Sequence, residues 1–380
     1  MTRLSHPHTF NATQFRRQLH MFPELSNQEV NTAAKIVKQL SMFGLTAKEN
    51  IGGNGIVCVI DSGNTGETTL FRADFDALPI VEKSTHQHVS QHCGVMHACG
   101  HDGHTASLLM VAEHLANHPP SRGKIILLFQ PAEETGTGAE EMLKHSWLNK
   151  QSVDNTFAYH NLPGHPLGSI LVKPDTFACA STGVSIEFQG KTSHAARPEN
   201  GISPVEVMMT VIRQLQTLSE HYPDTFTLVT IVHAQLGEEA FGVSPGYAKV
   251  MATLRSECNT TFEQMKKKLL NTLSELENNS DIKITLQWDE PFNAAVNSAK
   301  HCDIVAEQAE ELGLSVIQLS EPMRWSEDFS QFLLKWPGAL FCIGSGESHP
   351  QLHNPDYDFP DEILATASSL FISIAQRLHK

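Results

Sequence analysis

The chain has 380 residues, which at about 150 per domain leaves room for two or three domains. Its 27 Lys and Arg against 42 Asp and Glu give a formal charge of −15, which argues against a general nucleic-acid or anionic-membrane partner. No run of 18 apolar residues suggests a membrane helix, the N-terminal segment lacks the apolar core of a secretory signal, and seven scattered cysteines suit free thiols in a reducing cytoplasm.

The opening reads as two helices. Asn11 is placed to cap a segment with Phe15, Leu19 and Phe22 on one face. Ala33, Ile36, Val37, Leu40 and Phe43 keep helical spacing until Gly44. Strands are expected at 55–60 and 68–75, and a helix after Asp102 that ends at Pro119-Pro120. Residues 124–129 (KIILLF) are apolar after the lysine, as in a strand buried on both faces of a parallel sheet. This alternation predicts an α/β domain.

The middle of the chain changes period. Val184, Ile186 and Phe188 alternate as in a one-sided strand. A helix (204–218), two strands (225–232 and 249–254), a helix (261–276) and a strand (282–288) follow, in the compact β-α-β-β-α-β order of ferredoxin-like units. The α/β pattern then resumes, with helices at 296–312, at 326–334 and from 360, and strands at 314–319 and 339–344. The expected organisation is therefore a large domain, 1–180 with 293–380, interrupted by a small α+β domain at 181–292.

Polar residues gather where the strands of the large domain end, which is where open α/β sheets bind ligands. Strand 68–75 leads through Asp74 to Asp76, and strand 124–129 runs into Gln130-Pro-Ala-Glu133-Glu134. Strand 156–159 precedes His160, and strand 339–344 precedes His353. Between the second strand and the next helix lie His97, Cys99, His101, Asp102 and His104. Taken singly, these are ordinary features: a capped turn, an acidic helix start, a core histidine, a small buried thiol. Taken together, their side chains are those that bind zinc and other first-row divalent ions, and they outnumber the three or four that one ion needs. A two-metal centre follows, with one carboxylate left as general base. Adjacent Glu133 and Glu134 suit a split between base and ligand. His86, His88 and His92 read as solvated loop residues, and Cys58, Cys302 and Cys342 as core. In the small domain, Gly190-Lys-Thr-Ser193-His194-Ala-Ala-Arg197-Pro198 reads by itself as a polar turn.

These motifs resemble the M20 family of metallopeptidases, in its amidohydrolase branch (subfamily D), which includes hippurate hydrolases, N-acyl-amino-acid deacylases and plant auxin-conjugate hydrolases. The likeness is carried by RADFDALP (72–79), MHACGHDGHTA (96–106), FQPAEE (129–134), HNLPGHPLG (160–168), SHAARP (193–198), SEDF (326–329), LHNP (352–355) and LHMFPELS (19–26), in family order. The resemblance implies a Zn-peptidase-like catalytic domain with helices on both faces of a mixed sheet, and an inserted ferredoxin-like lid that also serves dimerisation. It implies two divalent ions (zinc, manganese, nickel or cobalt) on Cys99, His101, Glu134, His160 and His353. Glu133 is then the general base and acid, Asp76 orients a ligand, and His194 serves the scissile carbonyl. The implied substrate is a small N-acyl amino acid or short peptide.

The chain departs from that pattern in three places. The lid run AsnValIlePro reads Gly242-Val-Ser-Pro245, so the family's Asn is absent. The GlyThrxArg run reads Ala252-Thr-Leu-Arg255, which keeps the Arg. The glycine-rich run after the glutamate pair is Thr135-Gly-Thr-Gly138. Three other functions compete with this one: a cysteine hydrolase built on Cys99, His101 and Asp102, a dipeptidase or carboxypeptidase of the same fold, and a non-hydrolysing binding descendant. The first leaves Glu133, Glu134, His160 and His353 unused.

Overall fold

The computed structural model describes residues 10–380 and divides into two compact units. The large unit runs to Phe177 and resumes with Val296–Glu321 and Asp328–Lys380. The small unit is Ala178–Ala295 with Pro322–Glu327.

Helices α1 (Ala12–Met21) and α2 (Val30–Met42) come first. The Asn11 side chain caps α1 by accepting the Gln14 N–H at 2.9 Å. Phe22 falls just beyond α1 and is exposed. Next come β1 (Ala47–Lys48), β2 (Ile56–Asp61), β3 (Thr68–Asp74), α3 (His101–Asn117) and β4 (Lys124–Gln130). The short helices α4 (Gly138–Lys144) and α5 (Ser146–Asn149) precede β5 (Asn155–Leu162), β6 (Ile170–Val172) and β7 (Asp175–Ala178). The sequence pattern did not announce α4 and α5, because each is too short to show a helical period.

The small unit contains β8 (Ala180–Gln189), β9 (Ser193–His194), α6 (Val205–Thr217), β10 (Thr227–Leu236), β11 (Val243–Ser244), β12 (Tyr247–Ser256), α7 (Asn259–Asn278) and β13 (Lys283–Phe292). The chain continues with β14 (Ala295–Asn297), α8 (Ala299–Glu311), β15 (Val316–Gln318), α9 (Ser330–Lys335), β16 (Gly338–Gly344) and α10 (Ile363–His379).

The sheet of the large unit is mixed, in the order β1-β2-β4-β3-β5-β16-β6-β15. Its centre, β4-β3-β5-β16, is parallel, so the carboxyl ends of these four strands share one edge. Strands β3 and β16 are buried at every position, which requires cover on both faces. Phe71, Ala73, Ile125, Leu127, Phe129, Phe157 and Phe341 point to one face and pack with α3, α8 and α10. Arg72 alternates with them onto the opposite face, where its guanidinium lies 5.9 Å from the Phe329 ring at the start of α9.

In the small unit, the antiparallel sheet β10-β12-β8-β13 has one apolar face. Val184, Ile186 and Phe188 pack there with Val207, Val211 and Leu215 of α6 and with Phe262, Met265 and Leu269 of α7. The alternation read from the sequence has this cause. Pro322–Glu327, given by sequence to the large domain, is joined to the small unit through its carbonyl groups: the Cys179 N–H donates to Met323 O at 3.0 Å, and the Arg255 side chain donates from Nη1 to Arg324 O at 2.9 Å. Among the described residues no helix is long and apolar enough to cross a membrane.

Candidate metal centre

The carboxyl ends of β3, β4 and β5 bring the candidate ligands of the large unit together. The motif 97–104 enters α3 by its first turn, so His101, Asp102 and His104 are helical residues rather than loop residues. Gly100 makes that entry possible. Its φ is 93°, and a Cβ there would lie 2.4 Å from Asn161 Oδ1 and 2.9 Å from Tyr357 Oη.

His101 is held through its Nδ1, which donates to Asp76 Oδ1 at 3.1 Å. The other Asp76 oxygen accepts Ser26 Oγ–H at 2.7 Å and the Glu134 N–H at 3.1 Å. Burial opposes a charge on Asp76, yet the bonds from His101, Ser26 and Glu134 keep its carboxyl below the ordinary range. With Nδ1 occupied, His101 Nε2 faces Asp74 Oδ2 at 3.7 Å, Glu134 Oε1 at 3.8 Å and Glu133 Oε2 at 3.9 Å.

Glu133 and Glu134 diverge because of the turn that carries them. Ala132 adopts a left-handed φ of 52°, fixed by its N–H donating to the buried Glu29 carboxylate at 2.9 Å. Glu133 Oε1 then receives the Asp328 N–H at 3.4 Å. Glu134 shares a ligand-sized cluster with Cys99 and His353, and Glu134 Oε2 is 3.7 Å from His353 Nε2. His353 also has a left-handed φ, 65°, and its N–H bonds to Ala98 O at 2.8 Å, which ties the His353 loop to the cysteine motif. His160 lies inside β5, not after it. Its Nδ1 donates to Asn161 O at 2.7 Å, so the ring turns Nε2 toward Cys99 Sγ, 3.4 Å away. Cys99, His101 and His160 form another ligand-sized group, as do His101, Glu133 and Glu134.

The residues present fit a bound cation. His101 Nε2 and Glu134 Oε1 are buried without a hydrogen-bond partner. Burial opposes a charge on His101, but Asp74, Asp76 and Glu134 draw a proton to it and raise it to about 10. Burial pushes the Glu134 carboxyl up to about 8; attraction to His101 opposes the shift, and repulsion from Asp76 and Asp74 adds to it. The cluster thus calls for positive charge at its centre, and ligands of a tetrahedral ion lie about 3.4 Å apart, near the separations seen.

Several residues behind the cluster are missing from the sequence-derived set. Asp74 accepts His104 Nδ1–H at 2.6 Å and Arg72 Nη1–H at 2.6 Å. Arg72 reaches Asp328 at 3.1 Å and Gln130 Oε1 at 2.7 Å. An arginine at an inward position of an apolar strand was the available signal, since such a charge needs partners. Asp102 does not join His101 and Cys99 in a triad; it pairs with His20 Nδ1 at 2.9 Å and Arg16 Nη1 at 3.3 Å. His88, expected to be solvated, is buried, and His86 is half-buried, because Asp358 and Glu82 draw them inward. His194 lies in the small unit on β9, with its side chain exposed and its Nδ1 accepting the Ala196 N–H at 3.0 Å. A Cβ on Gly242 would meet no atom within 4 Å, so nothing in the small unit's packing demands glycine there.

The family model described as peptidase family M20/M25/M40 matches residues 70–377. The chain belongs to this family. It is 31% identical to the hippurate hydrolase of Campylobacter jejuni over 370 residues, covering 97% of this chain and 96% of that one. It is 32% identical to the N-acetyl-L-cysteine deacetylase of Bacillus subtilis over 365 residues, covering 96% and 87%. Among solved structures, the Bacillus subtilis YXEP protein, described as a dinuclear metal-binding peptidase of the M20 family, superposes with a TM-score of 0.82 at 27% identity, covering 97% of both chains.

Proposed function

We propose that this chain is a metal-dependent amidohydrolase that cleaves N-acyl amino acids to a carboxylic acid and an amino acid. The observation that carries the proposal is the convergence of Asp74, Glu133 and Glu134 on the unpartnered Nε2 of His101, beside Cys99 and His160. The names of the two relatives support the substrate class.

Cys99, His101, Glu134, His160 and His353 would hold two divalent ions. A thiol, imidazoles and a carboxylate suit zinc, cobalt, nickel or manganese, among which metal analysis of the purified protein decides. Ions bound there would polarise the acyl carbonyl and lower the pKa of water. Asp76 fixes the ring of His101 and its tautomer. Glu133 takes a proton from the attacking water, the C–N bond breaks, and Glu133 returns the proton to the leaving nitrogen. The resemblance supports His194 as a donor to the oxyanion. It also supports a homodimer through the small unit, as do the exposed Val232, Leu236, Phe241 and Val243. No disulfide joins the seven cysteines, which suits a reducing cytoplasmic setting.

The test is hydrolysis of N-acetyl and N-benzoyl amino acids with added zinc, manganese or cobalt, with chelator, and with Glu133→Gln. Expected are dependence on metal and a fall of about 100- to 10,000-fold in kcat for E133Q, with metal content unchanged. Faster turnover of dipeptides would move the assignment to a peptidase. Tight binding of N-acyl amino acids by metal-loaded protein without turnover would overturn hydrolysis altogether.

A further inference from the structure

A second cluster of imidazoles and carboxylates lies apart from the candidate ligands. One ligand atom each of His20, His86 and Asp358 lies within 4.8 Å of the others. Glu82 Oε1 adds a fourth, 3.3 Å from His20 Nε2 and 3.1 Å from His86 Nε2. His86 Nε2 is also 3.9 Å from Asp358 Oδ2. Ligands placed 2.0–2.1 Å from a tetrahedral ion are separated by about 3.3 Å, so the spacings of Glu82 to His20 and His86 match a small divalent ion, and Asp358 stands farther out.

Three features separate the cluster from a chance meeting of surface groups. First, each inner residue is oriented from behind, as metal ligands are. Asp102 Oδ2 accepts His20 Nδ1–H at 2.9 Å, which leaves Nε2 to face inward. The Ser90 N–H donates to Glu82 Oε2 at 2.6 Å, and Arg16 Nη1 donates to Asp358 Oδ1 at 2.5 Å. His88 Nε2 lies 2.9 Å from Asp358 Oδ2, and its ring stacks on His86 with centroids 3.8 Å apart. Second, both ring nitrogens of His86 are shielded from solvent; Nδ1 makes no hydrogen bond, and Nε2 meets Glu82 Oε1 at 3.1 Å off the hydrogen-bonding direction. Third, the charges do not cancel. Asp102 and Asp358 pair with Arg16, Asp361 pairs with Arg16 and Arg17, and Glu82 meets His20 and His86. With the imidazoles neutral, as metal ligands are, two negative charges remain, which one divalent cation neutralises; without an ion, burial opposes a charge on His20, but Asp102 and Glu82 draw a proton to it and raise it to about 9.

We propose that His20, His86 and Asp358, with Glu82, form a structural site for a zinc-type divalent ion, distinct from the centre at Cys99. It would fasten the 82–88 loop to α1 and to the segment before α10, which are far apart in sequence. Two nitrogen and two oxygen donors without a thiol suit zinc, cobalt or nickel rather than magnesium or calcium.

The full chain and His86→Ala are each saturated with zinc, freed of excess ion and assayed for metal per chain and for turnover. His86 takes no part in the proposed chemistry, so its loss leaves turnover unchanged. The expected result is one zinc fewer in H86A than in the parent chain. That difference reads this site alone, and the zinc left in H86A reads the other centre. Equal metal content in the two proteins overturns the proposal, whatever the number bound. Should H86A fail to fold, His86→Gln serves, with the same reading.

Discussion

Asp328 does more for the site than its place outside the ligand set suggests. Its carboxylate accepts Gln130 Nε2–H at 2.7 and 2.8 Å, Arg72 Nη2–H at 3.1 Å and the Ala139 N–H at 2.9 Å. Gln130 and Ala139 lie at the two ends of the turn that carries Glu133 and Glu134, so a single side chain staples that turn closed. Asp328→Asn keeps the shape but removes the charge facing the buried Arg72. The expected costs are about 3 kcal/mol of stability, the scale for breaking a buried ion pair, and a lower kcat with metal still bound. Urea unfolding and metal analysis check this; a variant with parental stability and kcat would remove Asp328 from the supporting role.

At the scale of elements, the turn between β4 and α4 sets where the two glutamates point. A Cβ on Gly138 would fall 1.7 Å from the carbonyl oxygen of Pro131, so the backbone must shift to admit one. Gly138→Ala is therefore expected to move Glu133 and Glu134 together. A displacement near 1 Å costs on the order of 100-fold in rate. Steady-state kinetics of G138A measures this directly, and unaltered kcat would show that the turn absorbs the change. The candidate ligand motifs were plain in the sequence because each is local: Cys99 and His101 flank one helix start, and Glu133 and Glu134 are neighbours. The supports were not plain. Arg72 and Asp328 are 256 positions apart, and only the fold makes them neighbours. The solvated reading of His86 and His88 failed for the same reason, since Asp358 reaches them from the far end of the chain.

For the whole molecule, acid is expected to loosen the large unit by protonating histidines buried in it. His301 on α8 bonds Asn155 Oδ1 through Nε2 at 3.1 Å, and His379 on α10 faces Thr69 Oγ1 at 2.8 Å and Arg122 O at 3.0 Å. Burial holds both rings below their ordinary value of 6.5, so the folded state keeps them neutral. The unfolded chain takes up protons near 6.5 that the folded chain refuses. Stability is therefore retained above that pH and declines as pH falls from about 6.5 toward 5. Melting temperatures across this range test the sign, and His379→Gln should flatten part of the slope. A flat profile in the parent chain would mean that these rings do not govern acid stability.

The sequence by itself determined the alternating α/β pattern, the one-sided strands of the inserted unit and the residue types of the candidate centre. Each is written in short windows: a period of two or near 3.6, or several metal-binding side chains within eight residues. The tertiary structure alone decided which side chains meet. It turned Asp102 away from Cys99 toward Arg16 and His20, placed Asp328 behind Glu133, and gathered His20, His86 and Asp358 at one spot. Those pairings depend on strand order and helix packing across hundreds of residues, and no local pattern encodes them.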